Sequence, residues 1–175
     1  PSLFQLSRPD IHLKYIYSDE SVPQKDFDIE VYGTFTESRK PDSIFITNEE
    51  LCAVVSNDHP LAKSESIKLL DLQTETFITP AHSELLSTII DVCHAANFSP
   101  RIGSELQIYT DVLAFVEEGL GITIAPYKTW LTGWEDRFSV LRLKDVQTTR
   151  KVYAHYEKDK PHSKHAEDFC NFLQT

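Results

Sequence analysis

The sequence is short of cationic side chains: 17 Lys and Arg stand against 27 Asp and Glu, a formal net charge of −10 over 175 residues. Nucleic acid is held mainly by cations that neutralise phosphates, so an acidic chain without a basic stripe is a poor reader of DNA through its own surface. The expected partner is a small molecule or another protein. Long apolar runs are missing too. None approaches the roughly 18–20 residues needed to cross a bilayer, and no basic-then-apolar leader opens the chain. That predicts no membrane association and a cytoplasmic location. Cysteine is sparse: Cys52, Cys93 and Cys170 lie far apart, each within an apolar segment. An odd count without paired spacing points to buried thiols in a reducing compartment. Glycine is scarce at five residues. No G-x-S-x-G elbow, H-E-x-x-H or C-x-x-C occurs, so no catalytic set stands out and no enzyme is expected.

What is present is an ordinary globular balance, 41% hydrophobic and 25% charged, which excludes disorder, collagen and simple coiled coil. Strand and helix patterns alternate, predicting α/β layers. Strands are expected over Ile11 to Tyr17, Phe27 to Tyr32 (stopped by Gly33), Ser43 to Thr47 and Leu51 to Ser56. The last two are joined by the polar Asn48-Glu49-Glu50. Asn57-Asp58-His59-Pro60 then breaks the pattern. Ser66 to Leu72 reads as a short helix capped by Ser66, and Thr76 to Thr79 as a buried strand ending at Pro80. A helix follows from Ser83, with Leu86, Ile89 or Ile90, Cys93 and Ala96 on one face and Asn97 as its left-handed end. Thr110 is expected to cap a helix ending at Gly119. Ile122 to Ala125, Phe138 to Leu143 and Val152 to Tyr156 are strands. The C-terminal helix carries Ala166, Phe169, Cys170 and Leu173 at i, i+3, i+4 and i+7. Short connections favour mostly parallel sheets covered by helices.

One constellation carries chemistry. Thr79-Pro80-Ala81-His82-Ser83 runs from a strand into a helix, where free backbone N–H groups and the positive end of the helix dipole suit a carboxylate or other small anion. The simpler alternative is that Ser83 only caps the helix. Metal chemistry is not expected. His155, His162 and His165 lack a completing cysteine or carboxylate, and no cofactor is implied.

Certain runs resemble the effector domains of LysR-type transcriptional regulators. They are Asn57-Asp58-His59-Pro60-Leu61-Ala62, the segments Ile67 to Leu72 and Phe77 to Thr79, the turn Asn97 to Pro100, and above all Leu113 to Ile122 with Ala125-Pro126. Asp26 to Gly33 is similar to that family's strand at the cleft edge. The likeness covers about residues 9–175. It implies a two-lobed periplasmic-binding-protein-like fold (type 2), each lobe a mixed, mostly parallel sheet flanked by helices. Lobe one would be residues 1–56 and 153–175, and lobe two residues 57–152. The crossovers would fall near Val55 to Asp58 and Lys151 to His155.

By the same resemblance, a small-molecule effector (a carboxylate or amino-acid-like anion) sits in the inter-lobe cleft. It would touch Thr79, Pro80, Ala81, His82 and Ser83 from lobe two, with Gln107 and Ile108 along the wall. Tyr32, Gly33 and Thr34 would contribute from lobe one. The family's winged helix-turn-helix, linker helix and first effector-domain strand are not found here, so the chain reads as N-terminally truncated. A homodimer or homotetramer is implied, meeting DNA only through the missing domain. Three alternatives share the architecture, the plainest being an empty, collapsed cleft that leaves only a dimerisation module. A transport solute-binding protein would need a secretion signal. An enzyme would have only His82 and Glu105 as acid/base groups.

Overall fold

The computed structural model describes residues 2–14, 27–38, 40–159 and 163–174. It forms two compact units, one of Pro1–Asn48 with Lys151–Thr175 and one of Glu49–Arg150. The chain thus passes from one unit to the other at 48/49 and 150/151, where the sequence placed the first crossover later.

The first unit opens with helix α1 (Ser2–Ser7). Residues 11–14 are not in a strand and the rest of the expected Ile11–Tyr17 strand lies outside the described residues, as does the segment from Ser18 to Gln24. Ile11 instead packs with Phe4 and Phe169. Strand β1 (Glu30–Thr34) starts later than expected and runs through Gly33. Gly33 does not stop it because the strand is held on the other side, antiparallel to β8 (Thr149–His155), with Gly33 opposite Val152.

The expected break at Asn48-Glu49-Glu50 is absent. Strand β2 (Ile44–Val55) is continuous, because Glu49 turns inward and is fully bonded (below). In the second unit β2 is flanked by two antiparallel partners, β6 (Thr123–Pro126) and β7 (Ser139–Leu143). Ser66 to Leu72 is not one helix. Ser66–Ile67 forms the short strand β3, parallel to β7, and Leu69–Leu72 a single 3-10 turn. Pairing with the β7 edge overrides the local capping signal of Ser66.

Next come β4 (Thr76–Pro80), α2 (Glu84–Ala95), β5 (Arg101–Leu106) and α3 (Tyr109–Glu117). Strand β5 lies parallel on one side of β4. On the other side Phe77 bridges Ile122 in parallel, with Ile78 N–H to Ile122 O at 2.8 Å and Ile122 N–H to Thr76 O at 2.9 Å. The order in this unit is therefore β5-β4-β6-β2-β7-β3. Alternation along β4 sends Phe77 toward Phe98 at the end of α2 and Ile78 into the core shared with Val112, Leu113 and Val116 of α3. Helix α2 joins β4 to β5, and α3 returns from β5 past β4 to β6; crossovers of one hand running in opposite directions place the two helices on opposite faces.

Helix α3 is preceded by Ile108, without a side-chain cap, so Thr110 is not its cap. It ends at Gly119 (φ +73). Residues 127–131 form one wide turn. Strand β8 (Thr149–His155) and helix α4 (Ser163–Leu173) complete the first unit. There Ala154, Tyr156, Ala166 and Cys170 share a small core. The sheets are mixed, but "mostly parallel" does not describe them: β1–β8, β2–β6 and β2–β7 are antiparallel, and parallel pairing is found for β4–β5, β3–β7 and the β4–β6 bridge. Parallel neighbours need a long covered crossover, which α2 and α3 supply around β4.

Candidate functional site

In open α/β sheets, ligands are received outside the carboxyl ends of the strands where successive crossovers diverge. Strand β4 is such a place. The loop Ala81-His82-Ser83 leaves its carboxyl end, and the Ala81 N–H donates to Leu106 O at 2.8 Å. That bond ties the loop to Gln107-Ile108 beyond the parallel end of β5. Five expected residues from the β4 end and two from the β5 end are thus brought together within one unit.

Their roles are distinct. Ser83 caps α2: its Oγ accepts from Leu86 N–H at 3.1 Å and donates to Pro80 O at 3.3 Å. The hydroxyl is therefore committed to structure, and the first amides of the helix are left without intrahelical acceptors. His82 is exposed and holds φ +47, a left-handed conformation uncommon outside glycine. Such backbone outliers collect at ligand loops. Ile108 is 49% exposed although apolar. Pro80 is buried and Ala81 half-buried.

Thr79 does not present its side chain to solvent. It is 0% exposed and its Oγ1 has no hydrogen-bond partner. It shares the face of Phe77, toward α2. An unmet buried hydroxyl costs on the order of 1–3 kcal/mol.

Tyr32, Gly33 and Thr34 lie in the first unit, on β1. The Tyr32 hydroxyl bonds Ser43 Oγ at 2.8 Å, and its ring stacks on Tyr153 with centroids 5.9 Å apart. Thr34 Oγ1 accepts from Thr36 N–H at 3.2 Å. These side chains are engaged within their own unit.

Sequence reasoning missed Glu49, Thr129 and Arg150. Glu49 is 1% exposed. Its carboxylate accepts from Thr129 N–H (2.9 Å), Thr129 Oγ1 (3.1 Å) and Arg150 Nη1 (3.1 Å). No local pattern could have shown this, because the partners lie 80 and 101 residues away.

The cysteines are all buried. Burial pushes the Cys52 and Cys93 thiols up to about 12 and the Cys170 thiol up to about 11, so none is a thiolate near neutral pH. Among the described residues, no group of three or more His, Cys, Asp or Glu is arranged to hold a metal, and no helix is long and apolar enough to cross a membrane.

The family described as LysR substrate binding domain matches residues 2–175. Among curated proteins, the transcriptional dual regulator GltC of Bacillus subtilis (strain 168) is 28% identical over 162 residues, 91% of this chain and 54% of that protein. The HTH-type transcriptional regulator ShiR of Corynebacterium glutamicum (strain R) is 31% identical over 107 residues, 59% of this chain and 36% of that protein. The chain thus spans about half the length, or less, of these relatives. Of solved structures, the effector binding domain of QuiR in complex with shikimate superposes with a TM-score of 0.63 at 29% identity, covering 83% of this chain and 71% of that one. The regulatory domain of Synechocystis PCC6803 CcmR in complex with 2-PG superposes with a TM-score of 0.73 at 18% identity, covering 99% and 86%. The second likeness speaks to fold alone. The chain belongs to the LysR substrate-binding-domain family, and its mixed α/β fold is the periplasmic-binding-protein-like fold of LysR effector-binding domains.

Proposed function

We propose that this domain senses a small anionic metabolite on behalf of a longer cytoplasmic transcription regulator, and binds that metabolite without transforming it. The observation that carries the reading is the joining of Ala81-His82-Ser83 to Gln107-Ile108, by the 2.8 Å Ala81–Leu106 bond, beyond the carboxyl ends of two parallel strands. A helix opens there with its first amides lacking intrahelical acceptors, which suits a carboxylate or phosphate. His82 adds an exposed donor. Thr79, buried and unpartnered, gains a bond when a small shift of the loop admits an acceptor. QuiR's effector, shikimate, carries a carboxylate of the kind this arrangement fits. Tyr32, Gly33 and Thr34 form a second expected contact group, read by variants of their own.

Ligand can shift a conformational equilibrium only by binding two arrangements unequally. Such a shift, passed through a homodimer or homotetramer to DNA-binding domains outside this sequence, is the proposed regulatory step. The transport alternative draws no support from the relatives, which are named as transcription regulators. Calorimetric titration with a panel of carboxylates and phosphate esters, shikimate and 2-PG included, tests the site. A Thr79→Ala/Ser83→Ala double variant, which removes the unpartnered Thr79 hydroxyl and the cap that fixes the helix-entrance amides, is expected to weaken the best ligand at least about tenfold. Unchanged affinity in a folded double variant would sink the assignment.

A further inference from the structure

Among the described residues Glu49 is the one buried carboxylate. An unpaired charge there would be costly, and three donors meet it: the Thr129 amide, the Thr129 hydroxyl and Arg150 Nη1. Arg150 Nη1 also donates to Thr129 Oγ1 at 3.0 Å. All of this employs one nitrogen of the guanidinium. Nε and Nη2 bond no described residue, although the Arg150 side chain is only 19% exposed. An arginine recruited merely to neutralise Glu49 would turn its two-pronged edge to the carboxylate. Here the Nε/Nη2 edge, which matches a carboxylate or phosphate in shape, has no hydrogen-bond partner among the described residues, while Nη1 is pinned.

The position is also apt. Thr129 lies in the wide turn beyond the carboxyl end of β6. Strand β6 runs parallel to β4, whose carboxyl end carries Ala81 to Ser83. The cluster and the loop therefore belong to the same edge of the second unit.

We propose that Arg150 is an anion-recognition residue, its Nε/Nη2 edge held ready by Glu49 and Thr129 to take a carboxylate or phosphate group of the effector. The inference rests on the effector-binding reading and names the side chain that reads the effector's charge. Glu49 and Thr129 are positioning residues: they fix the guanidinium before the ligand arrives, which lowers the ordering cost of binding.

The test follows the Arg150 Nε–Hε resonance of the whole chain during titration with inorganic phosphate and, separately, shikimate, at matched ionic strength. Wild type is expected to show a saturable shift with at least one probe. R150K keeps a cation beside Glu49 but has no second donor edge. It is expected to stay folded and, by calorimetric titration with the same probes because it lacks that resonance, to lose at least about tenfold in affinity. E49Q retains the arginine without its anchor. It should broaden the Nε–Hε signal and weaken the probe by less than R150K does.

A wild-type resonance indifferent to both probes, or R150K binding like wild type, would overturn the assignment. Loss of binding in Thr79→Ala/Ser83→Ala with R150K unaffected would reject Arg150 and leave the loop standing. An Arg150 response undiminished in that double variant would do the reverse.

Discussion

In the unit of residues 49–150, Val54, Ile78, Val112, Leu113, Val116 and Leu131 are sealed in one apolar core between β-strands and α3. The unit of residues 1–48 and 151–175 has two smaller clusters, around Ala154 and Cys170 and around Phe4 and Phe169. It relies more visibly on charge: Arg8 bonds Asp168, Lys40 bonds Glu30, and Lys151 bonds Glu37, all with partly exposed side chains. The difference teaches where each unit is vulnerable. Apolar burial is indifferent to salt and to mild acid, whereas exposed ion pairs are screened by the one and neutralised by the other.

Core truncation gives the widest separation. Leu113→Ala, at 1% exposure in the larger core, is expected to cost about 2–5 kcal/mol, read from the urea midpoint. Cys170→Ala in the smaller cluster removes one sulfur and should cost about 1 kcal/mol. Equal losses would erase the contrast. Backbone crowding comes next. A Cβ on Gly121 would meet Thr76 O at 2.5 Å and Ile78 side-chain carbons at 3.0 Å, so Gly121→Ala should cost about 1–3 kcal/mol by overpacking. A midpoint unchanged from wild type would mean that β4 yields there. Ser83→Ala removes the α2 cap, expected at about 1 kcal/mol, and checks that the larger loss in ligand affinity is not merely unfolding.

The smallest effect belongs to the other unit. The Lys151 hydrogen bond, then that of the Tyr153 hydroxyl, holds the Glu37 carboxyl below the usual carboxylate range. A depressed folded value means that this contribution is complete above the ordinary pKa of about 4 and fades as pH falls through the lower one. Lys151→Gln should lower stability slightly at pH 7 and leave the acid end unchanged, flattening the acid limb, as a pH series of melting curves would show. An acid limb identical to wild type would remove Glu37 from the account.

The elements around β4 were legible in the sequence because their signals are local. Ser83 caps α2, Asn97 (φ +65) ends it, Gly119 ends α3, and β4 stops at Pro80, all within a residue or so of expectation. The family resemblance rested on the same stretch. What failed was decided by distant partners. Asn48-Glu49-Glu50 looks like a turn until Thr129 and Arg150 are placed against Glu49. Gly33 looks like a stop until β8 is laid beside it. Ser66 looks like a cap until β7 claims the strand. The loop at 79–83 was legible as a helix entrance. That the Thr79 hydroxyl is buried and unmet, and that Ser83 is spent on Pro80 and Leu86, depends on packing that no short window contains.

The most direct measurement is an amide shift map of the labelled domain titrated with the tightest ligand of the carboxylate and phosphate panel. The account predicts saturable shifts that are largest at His82 to Leu85 and at Gln107 and Ile108. A ligand that saturates while those amides stay still, with its shifts gathered elsewhere, would contradict it.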